Sequence, residues 1–457
     1  MTRAVDVIVL GTGSAAQNVA YTCRAPGWSV AVIDSRPFGG TCENRGCDPK
    51  KVLVGVAELV DWSRRMQGKG VSAPGLSLTW PDLIRFKRTF TDPVPERTKR
   101  SFAEAGIAMW HGRAHFVDHA AVQVGDEILA GRHVVIATGA RHAPLGILGE
   151  ELLTTSTRFM ELDELPSHIV FVGGGYIGFE FAHIAARAGA RVQILHRGAR
   201  PLEKFDPDLV AQLVQATRDI GVAIQLSTAV TAIERRGDHL RVHARTGEQE
   251  HTVEADLMVH AAGRVPEIDD LDLAAAGVAR EQEGVSVNAY LQSVSNPAVY
   301  AAGDAVASGG FPLTPVAGMQ GDIVARNLLE GNRHTPNYAG IPSVVFTTPP
   351  LARVGLTEAA AHAQGLRFRT HREDTSGWYS SRRVALSYTG SKVLIEEGTG
   401  RILGGTSWGC TPRRSSIFSA WPSAPGCVPP ISRRWSTPTR RAPRTSALCC
   451  DHSGARA

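Results

Sequence analysis

The chain has 457 residues, 43% of them hydrophobic and 20% charged, with 49 Lys and Arg against 44 Asp and Glu for a formal charge of +5. That length exceeds what one core can serve, so two or three domains are expected, and no apolar run approaches the length of a membrane span. The basic balance says nothing of nucleic acid or membrane partners, because residues 406–457 hold eight arginines, no lysine and one acid, a net +7 that leaves −2 on the rest.

Met1–Val5 runs straight into a strand with no signal peptide, so a reducing, cytoplasmic setting is expected. Val5–Leu10 reads as a buried strand, followed by Gly11-Thr12-Gly13-Ser14-Ala15-Ala16 and a helix from Ala15 to about Arg24. This is the G-x-G-x-x-G/A fingerprint in its strand–turn–helix setting, with Ala16 in the third small position. Its glycines let the backbone reach a pyrophosphate seated on the helix N-terminus. A second strand, Ser29–Ile33, ends at Asp34, an acid suited to ribose hydroxyls.

Next comes Gly39-Gly40-Thr41-Cys42-Glu43-Asn44-Arg45-Gly46-Cys47-Asp48-Pro49-Lys50-Lys51. The Gly39-Gly40 pair allows close backbone approach to a cofactor, with Gly40 and Thr41 as candidate cofactor-binding residues, and Pro49 with the lysines suits the first turn of a helix. A cysteine near a helix N-terminus and near Lys51 would have its thiolate stabilised, as disulfide exchange requires. The same pair would also serve as a structural disulfide or as two inert thiols, and the expected compartment argues against the first.

A second fingerprint follows the strand Ile169–Val172: Gly173-Gly174-Gly175-Tyr176-Ile177-Gly178, then a helix through Glu180 to Ala188 and the strand Arg191–Leu195. Where a site for NAD wants a carboxylate, this one has His196 and Arg197, with Arg200 close behind. Positive charge there favours the 2′-phosphate of NADPH over NADH.

Two nucleotide sites and a dithiol in this order resemble the class I FAD-dependent pyridine nucleotide–disulfide oxidoreductases, the family of glutathione reductase, dihydrolipoamide dehydrogenase and mercuric reductase. Further segments carry the resemblance through about residue 405. Val135–Ala140, with Thr138 and Gly139, resembles the close of the first FAD-binding half. Gly263-Arg264-Val265-Pro266 resembles the return from the nicotinamide domain. Val299–Ala305, with Gly303 and Asp304, resembles the segment that binds the flavin's ribityl chain, and Leu313-Thr314-Pro315-Val316-Ala317 the stretch beside the flavin ring.

The resemblance implies an α/β protein of two Rossmann-like domains and a C-terminal α+β interface domain that pairs two subunits. The expected divisions are 1–150 with 265–335 for FAD, 151–264 for NAD(P), 336–405 for the interface and 406–457 for an aberrant tail. It also implies roles. Cys47 would be the flavin-side thiol, Cys42 the interchange thiol, Tyr176 the cover of the empty nicotinamide pocket, and Lys51, paired with Glu180, the cation near the reactive flavin nitrogen.

Arg45–Lys51 is nearest to glutathione reductases of plant type, which points to a small disulfide such as oxidised glutathione. Three departures count against a doubly anionic substrate or a usual dithiol: Asp322 stands where an arginine holds a substrate carboxylate, Tyr21 and Thr22 replace arginines on the first helix, and Asp48 would raise the Cys47 pKa. The alternatives are a metal-ion reductase of mercuric type, a dihydrolipoamide-dehydrogenase-like enzyme, or a flavin-binding remnant.

The tail points to a single-base frameshift near codon 405. Codons chosen for Gly405–Leu448 can spell, in a neighbouring frame, amphipathic helices that resemble the family's C-terminal segment. Cys449-Cys450 resembles the vicinal pair of mercuric reductases but falls in this stretch. The family's His-Pro-Thr base is missing from the written chain, and the other frame has Tyr-Pro-Thr there. A chain expressed as written is expected to dimerise weakly.

Overall fold

A strand covered on both faces must be apolar at every position, and Val7, Ile8, Val9 and Leu10 are each 1% exposed or less. In the computed structural model, which describes residues 2–409, they end the strand Thr2–Leu10 at the centre of a seven-stranded sheet. Val30–Asp34 lies parallel on one side and Glu127–Ile136 on the other. Ala108–His111 extends the sheet beyond Val30–Asp34. Val299–Ala301 returns from far along the chain to pair in parallel with Glu127–Ile136, which makes the first domain discontinuous.

The chain leaves and re-enters this domain through one ribbon, Ala140–His142 antiparallel to Arg264–Pro266. Between them the second domain builds a parallel four-stranded sheet in the order Ala223–Gln225, Arg191–Leu195, His168–Val172, Leu257–His260. An antiparallel meander, Thr228–Arg236, His239–Thr246 and Gln249–Ala255, packs beside it.

Two helices cross closely where the halves of the first domain meet. A β-carbon on Gly321 of the helix Thr314–Glu330 would stand 2.5 Å from the Ala15 carbonyl oxygen of the helix Ser14–Arg24. Asn18 Nδ2 donates to the Gly318 carbonyl at 2.9 Å across the same crossing.

The third domain is a five-stranded antiparallel sheet in the order Ser343–Val345, Leu351–Gly355, Ile402–Trp408, Gly390–Glu396, Phe368–Asp374. Buried Lys392 ties it to the second domain, meeting Asp206 at 2.9 Å and Asp208 at 3.1 Å. The strand Ile402–Trp408 passes the expected boundary at 405, because Thr406, Ser407 and Trp408 pair on both sides and Trp408 is fully buried. The remainder of the tail, with Cys449 and Cys450, lies outside the described residues. Among the described residues no helix is long and apolar enough to cross a membrane.

Candidate active site

The first fingerprint turn and the dithiol loop are joined through Thr12. Its buried hydroxyl donates to Asp34 Oδ2 at 2.6 Å and accepts from the Gly39 N–H at 3.1 Å. The other Asp34 oxygen accepts from the Arg36 N–H at 2.9 Å. Gly40 follows at φ +71°, and a β-carbon there would stand 2.3 Å from the Gly13 α-carbon, so the loop rests directly on the turn.

Cys42 lies in the short helix Gly40–Arg45, and Cys47 is the first residue of the helix Cys47–Arg65, where free N–H groups and the helix dipole favour an anion. The two thiols are unbridged. Cys47 Sγ lies 3.4 Å from Thr314 Oγ1, at the start of the helix Thr314–Glu330. A hydrogen bond from the Cys42 thiol, one from Thr314 and the charges of Lys50 and Lys51 hold Cys47 below the ordinary thiol range, against the effect of burial. Cys42 moves up, first through the same hydrogen bond and then through burial. The expectation that Asp48 raises the Cys47 pKa is corrected: Asp48 is exposed, and its charge bears on Cys42.

Lys51 also needs correction. Lys50, not Lys51, pairs with Glu180, Nζ to Oε2 at 2.8 Å, with side chains 11% and 2% exposed. Lys50, Leu53, Val54 and Ala57 form the inward stripe of the helix at i, i+3, i+4 and i+7, and Lys51 falls outside it in solvent. Glu180 Oε1 accepts from the Phe346 N–H at 2.8 Å, and the Phe346 ring lies 4.2 Å from Lys50 Nζ. The three domains therefore meet at this pair. Tyr176, one helical turn before Glu180, is 49% exposed and belongs to the site wall, not to the core.

These groups open on one cavity of about 870 Å³. Of the residues singled out by sequence, its wall includes Gly11, Gly13, Ser14, Ala15, Asp34, Gly40, Thr41, Cys42, Cys47, Thr138, Gly139, Tyr176, Ile177, Glu180, Arg264, Gly303, Asp304, Leu313 and Thr314. Burial raises the Asp304 carboxyl above the ordinary carboxylate range. Ala16 is buried behind the wall, and Pro315 sits in the first turn of its helix.

Gly173, Gly175 and Gly178 shape the second turn, and Gly263 precedes the returning strand. Beside that turn, His196 Nδ1 accepts from the Gly174 N–H at 3.1 Å, and His196 Nε2 donates to the Arg200 carbonyl at 3.0 Å. This leaves Arg197 and Arg200 exposed at the strand end. The sequence reading missed Thr12, Lys50, Phe346 and Arg353. Only Lys50 carried a usable signal, the helical spacing of the apolar residues after it.

A dithiol between two dinucleotide folds defines a flavoprotein oxidoreductase acting on sulfur, and the chain belongs to that family. Residues 5–321 match the pyridine nucleotide-disulphide oxidoreductase family, whose members use FAD and NAD(P)H, and residues 341–419 match its dimerisation domain. Among individual relatives, a mercuric reductase from Streptomyces lividans is 32% identical over 411 residues, 87% of this chain and 85% of that protein. A glutathione reductase from Burkholderia cepacia is 32% identical over 398 residues, 85% and 87%. A solved structure, the Cu(II) complex of the HOCl-induced flavoprotein disulfide reductase RclA from Escherichia coli, is similar with a TM-score of 0.80 at 28% identity, covering 91% of each chain.

The residues present fit FAD. Among the described residues, Thr138 Oγ1 and Arg45 Nε are buried polar atoms without a hydrogen-bond partner, both residues line the cavity, and Gly11, Gly13 and Gly40 in the same wall present no side chain to a close-lying phosphate.

Proposed function

We propose that the chain is an NADPH-dependent reductase of a small disulfide, working through Cys42 and Cys47. The observation that carries this reading is the placement of Cys47 between Thr314 and the Lys50–Glu180 pair on the floor of a cavity shared by both nucleotide folds. When bound, FAD supplies the two-electron link between the nicotinamide and the sulfur pair. Gly11, Gly13, Asp34, Thr138 and Asp304 would hold it, and Lys50 would place a positive charge beside it.

Cys42 is the attacking thiol. Its sulfur displaces one half of the substrate disulfide as a thiol and forms a mixed disulfide. Cys47 then attacks the Cys42 sulfur, releases the second half, and leaves the Cys42–Cys47 bond to be reduced again. The depressed Cys47 pKa supports its part as the resolving thiolate, whereas Cys42, whose pKa is raised, gives up its proton to the departing half as it attacks. NADPH is preferred on the strength of exposed Arg197 and Arg200 after a strand that ends at Leu195, with His196 next instead of a carboxylate, and with Glu203 as the acid nearest to them in the loop, its carboxylate beside Gly198. The family's dimerisation domain supports a homodimer, which gel filtration of the expressed chain would test.

A second reading, metal-ion reduction at the same sulfurs, is favoured by the poor provision for a doubly anionic disulfide. Asp322 is exposed on its helix, and Tyr21 packs on Phe102 with ring centroids 5.4 Å apart. Relatives include proteins named mercuric reductase and the Cu(II) complex above. Anaerobic addition of NADPH to the flavoprotein is the first test: a long-wavelength absorbance band supports a working dithiol, and bleaching without it argues for a remnant. NADPH oxidation with oxidised glutathione, lipoamide, Cu²⁺ and Hg²⁺ then separates the two readings.

A further inference from the structure

Arg353 sits in the strand Leu351–Gly355 of the third domain and is 8% exposed. Its guanidinium lies 5.0 Å from the Phe311 ring and 5.6 Å from the Phe205 ring, one from the first domain and one from the second. Among the described residues no carboxylate pairs with it, and Nε is buried without a hydrogen-bond partner. Burial lowers its pKa with no opposing charge. The residue nevertheless lines the site cavity, together with buried Phe205 and exposed Lys204 and Tyr176.

A guanidinium carries five donors in a planar fork and keeps its charge, so burying it without an anion is costly. The flanking rings attract the cation but do not replace acceptors in its plane. What the fork lacks is a phosphate or carboxylate, and the space it faces is the cavity. Lys204 and Phe205 follow the strand-end loop of the second fingerprint, and Tyr176 starts its helix, which puts this wall on the nicotinamide side.

We propose that Arg353, flanked by Phe205 and Phe311 and aided by Lys204, is a specificity-determining receptor for the phosphate on the nicotinamide-ribose half of the reduced coenzyme. The inference rests on the nicotinamide-dependent reading above. It assigns the third domain a part in coenzyme binding.

The test uses the FAD-loaded protein and two reduced donors: nicotinamide mononucleotide, with one phosphate, and nicotinamide riboside, with none. Arg353→Gln is expected to raise the half-saturating mononucleotide concentration about tenfold or more, as loss of a charge-assisted hydrogen bond does. Riboside saturation and reduction by dithionite should stay unchanged. Equal weakening of both donors would overturn the proposal, since it would mean packing alone. No weakening of either, with a raised KM for an anionic acceptor, would overturn it by moving the anion to the acceptor.

If Arg353→Gln releases flavin, Arg353→Lys serves instead. It keeps the charge but loses the fork, and should weaken the mononucleotide by a smaller factor and the riboside not at all; unchanged mononucleotide binding would overturn the idea. A wild-type flavoprotein that dithionite reduces and no nicotinamide donor does would instead remove the underlying reading, and this inference with it.

Discussion

Lys50 and Glu180 form a buried ion pair between two domains, and the backbone of Phe346 in the third completes it by donating to the second Glu180 oxygen. A buried carboxylate with both oxygens engaged depends on its cation, so the pair supports the domain junction and the charge beside Cys47 together.

Removing Lys50 leaves Glu180 charged and buried. Lys50→Gln should lose about 3 kcal/mol of stability in urea unfolding, whereas Lys51→Gln should change it by less than about 0.5 kcal/mol. Equal effects of the two substitutions would contradict the corrected assignment.

Cys47 gives a pH signature in the reduced protein. Its folded pKa lies below the free-thiol value, so its stabilisation is complete above that free value and lost as pH falls through the folded pKa. Stability of the reduced form should therefore rise with pH across this window. Thiolate ultraviolet absorbance should titrate below the usual thiol range, and Thr314→Val or Lys50→Gln should shift it upward. Titration at the ordinary thiol pKa would count against the geometry.

Two glycines make a matched pair. Gly40→Ala meets the Gly13 α-carbon and a left-handed backbone, costing about 1–2 kcal/mol from conformation alone, and should release flavin on desalting. Gly55, inside the helix Cys47–Arg65 with nothing near its added β-carbon, should gain about 0.5–1 kcal/mol as alanine. Differential scanning calorimetry with flavin absorbance reads both.

Trp408 is fully buried, donates Nε1–H to the Pro349 carbonyl at 3.1 Å and stacks near Tyr388. Trp408→Ala should lose about 3–5 kcal/mol. A loss below about 1 kcal/mol would show that the third sheet ends before this residue, as the composition of the tail suggested.

Arg197→Ala and Arg200→Ala should each raise the KM for NADPH about tenfold or more while leaving NADH unchanged, because each would remove a charged contact to the 2′-phosphate. Equal KM changes for both coenzymes would oppose the NADPH preference.

The fingerprints were legible because their glycines and strand–helix alternation are local requirements, and both turns form where the residues demand them. The dithiol was legible for the same reason. Lys50 against Lys51 was legible only through the apolar spacing of Leu53, Val54 and Ala57, since adjacent lysines differ only in which falls on the buried stripe of their helix. Phe346 and Arg353 reach the site through the packing of a third domain, and no spacing along the chain announces that. In the meander Thr228–Arg236 to Gln249–Ala255 only the middle strand shows a strict period of two, with Leu240, Val242 and Ala244 alternating with Arg241, His243 and Arg245, while its partners carry a bulge or few apolar residues.

Phe346 comes late in the chain, yet its N–H satisfies Glu180 and its ring shields Lys50. A nascent chain halted before that residue would have both nucleotide folds translated but the dithiol floor unfinished. The charge pair beside Cys47 is therefore completed from the far end of the described chain: only a docked third domain gives the Glu180 carboxylate its second donor.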